Sequence, residues 1–427
     1  MITRSGLSVV LVILACSSAL ALPRLERVRT GQAMQGYFRY QGTDTEFVPR
    51  GNDFIRVSSY TYYVDGMPQE AGYVSTFQPG HYDSSAIETT LSSMESYGYN
   101  VVRTGIDWGV NGIAGDYNVP GLDPGYLDNV ADFIRRADAH GIYVLLVMDL
   151  FPQDSYYESI ANQNSCSDIA DLNAAVMCLG PVNAKAQYFV DFITAMKARL
   201  TSSQMSAIMA YELANEQTFQ ANFAPFNTTE GVVTPFDGVQ YNMAVPEERQ
   251  QAADANLVLW ANVETAAIHS VDPDAMVAVG FFSYAAVGKT GPNGLLPVND
   301  NDPFPGRPAV LTIYSDISFI DIHFYPGDRP LETDLNSLEW VWISGPVIMG
   351  ELGALKDRFQ YDIVTAAFAM SDAQIESCSY HFKGWLFWLY DSPTNNDAID
   401  GTYNLLESSG AINGVLAPVV RPNACSY

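Results

Sequence analysis

From residue 84 onward the chain alternates between two hydrophobic rhythms. In "SSAIETTLSSMESYG" (84–98), Ile87, Leu91 and Met94 recur at helical spacing and Gly98 stops the run. "YNVVRTGIDW" (99–108) then reads as a strand. A second helix, "DPGYLDNVADFIRRADAHG" (123–141), opens at Asp123-Pro124, closes at Gly141 and is followed by "IYVLLVMDLFP" (142–152). That run is apolar at nearly every position, as in strands buried on both faces.

The pattern repeats to the end of the chain. "NAKAQYFVDFITAMKARL" (183–200) predicts a helix and "SAIMAYELANE" (206–216) a strand; 246–273 predicts a long helix begun by Pro246, and "AMVAVGFF" (275–282) a strand. "ISFIDIHFY" (317–325), a short helix over 334–343, "GPVIMGELG" (345–353), a helix over 360–378 and "GWLFWLYD" (384–391) follow. With "DFIRVSSY" (53–60) as the first, there are eight strands with helices mostly between them. Eight such units predict a (β/α)8 TIM barrel of the α/β class. An open doubly wound sheet would carry a phosphate-binding glycine fingerprint, and neither GxGxxG nor GxxxxGK[ST] occurs. Long segments at 152–182, 217–245 and 282–316 follow the third, fourth and fifth strands. In a barrel they belong on the C-terminal face, where active sites are built.

Residues 1–21 stand outside this rhythm. Arg4, the apolar "GLSVVLVILA" and the small residues "ALA" before Leu22 form the pattern of a cleaved secretory signal, and the apolar run is short of the roughly 20 residues that span a bilayer. The expectation is a secreted extracellular protein with one catalytic domain over 22–427 and no membrane span. Without the leader the net charge is 20 − 48 = −28, which repels nucleic acid as a partner. Four cysteines remain. Three pairings are formally open; Cys166–Cys178 and Cys378–Cys425 are favoured, the first closing a short loop and the second tying down the C-terminus. No metal-ligand spacing is present, so neither metal nor cofactor is expected. "NTT" at Asn227 is an N-glycosylation acceptor sequence.

Two apolar runs end on a carboxylate: "YELANE" on Glu216 and "VIMGELG" at Glu351. An ionised carboxylate at the end of a buried strand needs a reason. If both strands point to the barrel mouth, the two acids converge there as a glycosidase pair requires, one as acid/base and one as nucleophile. A lone glutamate at a strand end is more often a surface or ion-pair residue; two in matching contexts are not.

The set "GYNVVRTGIDW", "YELANEQ", "DIHFY", "VIMGELG" and "GWLFWLYD", in this order, resembles the cellulase-like family 5 of clan A glycoside hydrolases. The resemblance spans about residues 53–391. It implies a retaining β-glycosidase with Glu216 as acid/base and Glu351 as nucleophile. Asn215 would bind the sugar 2-hydroxyl, and Arg103 would hydrogen-bond the nucleophile and keep it ionised. His323 and Tyr325, on one face of the sixth strand, would hold the acid/base and the nucleophile respectively, and Trp388 would floor the site. Trp108, Trp340, Trp342 and Trp385 read as packing residues, although Trp108 could line the cleft. Where family members often carry a histidine after the third strand, this chain has Phe151, which predicts a more apolar subsite. The implied partner is a β-glycan or β-glycoside, cleaved by a monomer: endo-action on a β-1,4-linked glucan or mannan. The alternatives are a smaller or lipid-linked β-glycoside, held by Phe151, Phe219, Phe223, Phe226, Phe281 and Phe282, and a carbohydrate-binding protein without catalysis.

Overall fold

The computed structural model describes residues 21–30, 36–55, 61–64, 67–70, 76–106, 113–114, 121–149, 151–292, 294–295, 303–390, 401–405 and 410–426. The leader at 1–20 lies outside them, as do residues 56–60 of the expected first strand, Asp107 and Trp108.

Eight parallel strands close into a barrel in chain order. They are β1 (Arg50–Asp53), β2 (Val101–Gly105), β3 (Tyr143–Val147), β4 (Ile208–Glu212), β5 (Val277–Phe281), β6 (Phe319–Phe324), β7 (Val347–Leu352) and β8 (Trp385–Phe387). Closure is made by β8 lying parallel to β1, with Trp385 opposite Arg50. Two boundaries differ from the sequence expectation. The first strand is Arg50–Asp53, ending where the expected one began. The fourth stops at Glu212, four residues before Glu216.

Helices alternate with the strands for the reasons their sequences suggest. Ser84–Ser96 buries Ile87, Leu91 and Met94 and is capped by Asp83, whose carboxylate accepts from the backbone of Ser85 and Ala86. Pro124–Ala139 starts with proline in its first turn after the cap residue Asp123. The segment at 282–316 is not an unbroken loop: it holds the helix Pro308–Tyr314 and a short strand, Pro303–Pro305, paired antiparallel with Thr218–Gln220. The long segments after β4 and β5 therefore brace each other. Cys166 is bonded to Cys178 and Cys378 to Cys425. No described helix is long and apolar enough to cross a membrane.

Before the barrel, Leu25–Arg29, Gly36–Tyr40 and Glu46–Phe47 form a small antiparallel sheet. Leu25, Phe38 and Phe47 pack on residues at or near the strand starts, among them Val101, Tyr143, Met209, Phe319 and Ile348. Phe38 meets Phe319 edge-on at 5.1 Å, and Phe47 meets Tyr143 at 5.0 Å. The N-terminal end of the barrel is thus plugged by apolar side chains, and the polar interior is left to the opposite mouth.

Candidate active site

At that mouth the inward-facing positions change from apolar to charged. Asp53 ends β1, Arg103 lies in β2, Glu212 ends β4, Asp321 and His323 share a face of β6, and Glu351 lies near the end of β7. All six are buried. Their common partner is Arg103. Its Nη1 donates to Asp53 Oδ1 (2.8 Å) and Glu351 Oε1 (2.9 Å), and its Nη2 to Glu212 Oε1 (2.8 Å) and Asn215 Oδ1 (2.7 Å). Nε donates to Glu212 Oε2 (3.1 Å), and Asp321 Oδ2 lies 3.3 Å away.

One guanidinium therefore serves four carboxyl groups away from water. With all of them ionised the cluster would carry three excess negative charges in a poorly polarisable medium, which is costly. Crowding of this kind favours the neutral form of its members. Burial, together with Glu351 and Glu212, pushes Asp53 well above the usual carboxylate range. Asp321 is pushed the same way by burial and by Glu212.

The "GELG" of β7 makes this crowding possible. A Cβ on Gly350 would lie 1.8 Å from Asp321 Oδ2, and one on Gly353 would lie 2.5 Å from the Tyr325 ring. The first glycine admits a buried carboxyl, and the second lets Tyr325 lie over the backbone with its hydroxyl donating to Glu351 Oε2 at 2.7 Å. Both oxygens of Glu351 are thus held, one by Arg103 and one by Tyr325.

Glu216 is held differently. It follows β4 in a loop fastened from both sides: Leu213 and Gln217 donate backbone bonds to Ala278 and Gly280 of β5, and Asn215 N donates to Asp149 Oδ1. Lys185 Nζ donates to the backbone oxygens of Asp149 (2.7 Å) and Leu213, joining the loops after β3 and β4. The Glu216 side chain is 35% exposed against 5% for Glu351. One oxygen of each acid lies within 4.8 Å of the other and of a ring nitrogen of His323.

His323 connects the two acids to Arg103. Its Nδ1 is 2.8 Å from Glu216 Oε1 and 3.4 Å from Glu351 Oε2, and its Nε2 is 3.3 Å from Arg103 Nη2. Burial pushes its pKa down to about 4, so the ring is neutral at ordinary pH. A guanidinium nitrogen only donates, so Nε2 accepts, and Nδ1 carries the proton and donates to Glu216.

Two adjoining cavities, of about 270 and 380 Å3, share Asn215 and Trp388, and the second is lined by both acids. Asp53, Ile55, Arg103 and Asp149 line the first; Glu216, Tyr325, Arg329 and Glu351 line the second. The structure thus brings Arg103, Asn215, Glu216, His323, Tyr325, Glu351 and Trp388 to one place. Among the described residues two trios have metal-ligand spacing: Glu212, Asp321 and His323, and Glu216, His323 and Glu351. In the first, every member already faces the Arg103 guanidinium, which takes the place of a cation.

Phe151 is half-buried and packs against the core, and Asp149 before it lines the cleft beside Ile55, Ile106 and Val147. Of the phenylalanines expected to form an apolar wall, Phe219, Phe226 and Phe281 are core residues, whereas Phe223 and Phe282 are half-buried. Trp340 and Trp385 are buried as expected, but Trp342 is 63% exposed. Sequence reasoning missed Asp53, Glu212 and Asp321. The latter two had a signal, a charge inside an otherwise apolar strand in "AYEL" and "FIDIHF".

The model of the cellulase family (glycosyl hydrolase family 5) matches residues 63–389. This chain belongs to that family. It is a retaining glycoside hydrolase that acts on β-glycans. No curated protein sequence is significantly similar to it. Among solved structures, the endo-1,4-β-mannanase of Rhizomucor miehei superposes with TM-score 0.58 at 15% identity, covering 94% of this chain and 100% of that one. The β-mannanase of the blue mussel Mytilus edulis gives 0.54 at 15%, covering 95% and 99%. The exo-β-1,4-mannosidase of Opitutaceae bacterium strain TAV5 gives 0.56 at 17%, covering 91% of this chain and 62% of that one, so this chain spans less than two thirds of its length. All three share its barrel fold.

Proposed function

We propose that this family 5 enzyme is an endo-acting β-1,4-mannan hydrolase with Glu351 as nucleophile and Glu216 as acid/base. The observation that carries the residue assignment is the approach of the two carboxylates to within 4.8 Å. That fits the roughly 5–5.5 Å of retaining enzymes and leaves no room for the water that inverting enzymes place between acids about 6.5–9.5 Å apart. The asymmetry of burial assigns the roles. Glu351, buried with a donor on each oxygen, is oriented to attack the anomeric carbon. Glu216, partly open to water, can reload its proton between steps.

Glu216 Oε1 accepts from His323, so its proton sits on Oε2 and passes from there to the leaving oxygen as the glycosidic bond breaks. Glu351 meanwhile forms an ester bond to carbon 1. Water then attacks that carbon, gives a proton back to Glu216, and releases the sugar with its original anomeric configuration. Asn215, held by Arg103, faces the sugar 2-hydroxyl, and Trp388 lies under the ring at the junction of the two cavities.

The cavity lined by both acids adjoins a second one through Asn215 and Trp388, space for more than one sugar that supports endo-action, and the named activities of the structural neighbours support mannan over glucan. The burial of Phe219, Phe226 and Phe281 weakens a lipid-linked substrate. The leader at 1–21 and two disulfides support secretion of a single catalytic domain, 22–427, and the exposed Asn227 can accept a glycan if the host glycosylates.

Product sizing on mannan, glucomannan, cellulose oligosaccharides and xylan tests the substrate: short mannan fragments from the first minutes support endo-action, and cleavage of glucan alone refutes the mannan assignment. Glu351→Gln should reduce turnover of every substrate to background. Glu216→Gln should lose about 10²–10⁴-fold on glycans, and much less in the first step on an aryl glycoside whose leaving group needs no proton. A Glu351→Gln enzyme that still turns over would remove that residue from the nucleophile role.

A further inference from the structure

Asp53 is the one carboxyl of the Arg103 cluster that also lines the cleft cavity beside the catalytic pair. It is 1% exposed. Its Oδ1 accepts from Arg103 Nη1, the nitrogen that also serves Glu351. Among the described residues its Oδ2 has no hydrogen-bond partner. A buried polar atom without a partner, on a residue that lines a cavity, is expensive unless a ligand supplies one.

We propose that Asp53 is a neutral carboxylic acid whose Oδ2 hydroxyl donates to a hydroxyl oxygen of the bound glycoside, making it a substrate-binding residue. The proposal rests on the reading of Glu216 and Glu351 as the catalytic pair.

The charge balance leads to the same place. The groups facing Asp53 are Arg103 on β2, Glu212 on β4, Asp321 on β6, Tyr325 just after it, and Glu351 on β7. Glu212 takes two parallel bonds from Arg103, the geometry of an ionised carboxylate. Glu351 must be ionised to attack. Those two charges already exceed the single positive charge of Arg103, and neutral His323 adds none, so a third carboxylate is disfavoured and Asp53 keeps its proton. With Oδ1 accepting from Arg103, the proton belongs on Oδ2, the oxygen left unpartnered. A carboxylic acid kept neutral by its surroundings is a strong donor to an oxygen ligand. A sugar hydroxyl, which accepts as readily as it donates, is a matching partner in a cavity beside Glu351.

Two measurements test this. Infrared difference spectra of the intact protein at neutral pH should show carbonyl bands of buried carboxylic acids; Asp53→Asn should remove one, and Asp321→Asn a different one. Kinetics with β-1,4-mannohexaose and cellohexaose should show that Asp53→Leu, similar in shape but without a donor, loses about tenfold in kcat/KM, mostly through KM. Asp53→Asn, which turns its amide oxygen to Arg103 and its NH2 to the cleft, should recover most of that loss. The proposal is overturned if no band is assigned to Asp53, if Asn is as damaging as Leu, or if Leu costs nothing. Should Asp53→Leu not fold, the Asp53→Asn band and its kinetics decide. If neither hexaose is cleaved by the wild-type enzyme, the mannan reading fails while the infrared band still judges Asp53.

Discussion

At the scale of residues, the site depends on His323 remaining neutral. Its pKa of about 4 lies below the ordinary value of 6.5 because burial disfavours the charged ring. The sign follows from linkage: the unfolded chain takes up this proton first as pH falls. The stabilisation is complete above about pH 6.5 and is lost progressively towards pH 4. A protonated ring would also turn an N–H towards Arg103 and lose the contact through Nε2. Subtracting the thermal stability of His323→Gln from that of the wild type, over pH 4–7, should reveal a term that shrinks as pH falls. A flat difference would show that His323 is not buried neutral. Asp53 and Asp321 act in the opposite sense. Their raised pKa values favour the folded state at low pH, and that contribution is lost as pH rises through them.

At the scale of elements, the strand that carries Glu351 works because of the glycine before it. Gly350→Ala would drive a methyl into Asp321, a short side chain pinned beside Arg103. Overpacking of this kind should cost about 1–3 kcal/mol in chemical denaturation and reduce kcat as the cluster shifts; a variant of unchanged stability and activity would contradict the packing described. The same strand shows how far the sequence could be read. An apolar run, a carboxylate and bracketing glycines were all legible in "VIMGELG", and so was the opposing "YELANE". What was not legible is that β4 stops at Glu212. Leu213 and Ala214 continue an apolar-looking run, but their backbone shifts register against β5, which no hydrophobic period encodes. Nor could the pattern around Asp53 announce a site, because one charge after a turn is ordinary; only Arg103, 50 residues later, gives it meaning. The N-terminal sheet was missed for a related reason: its apolar residues are few, and the surface they cover is built from strand starts scattered over the whole chain.

At the scale of the molecule, the barrel separates stability from chemistry along its axis. One end is closed by Phe38, Phe47 and Leu25 and carries apolar packing. The other holds one arginine, four carboxyl groups and a histidine at positions that strand alternation turns inward. Loops after β3, β4 and β5 wall that end, stiffened by the Cys166–Cys178 bond and by pairing between Thr218–Gln220 and Pro303–Pro305. This division is compatible with a fold shared at low sequence identity, because many apolar combinations can plug and pack a barrel.

The most direct test of the whole account is to trap the reaction halfway. A 2-deoxy-2-fluoro-β-mannoside with an activated leaving group should inactivate the enzyme in a time-dependent way, because fluorine slows both formation and hydrolysis of the ester while the activated leaving group restores the rate of formation alone. Mass spectrometry of the digested adduct should then find the sugar on the peptide containing Glu351. A label on Glu216, or on any other residue, would contradict the assignment of Glu351 as the attacking carboxylate.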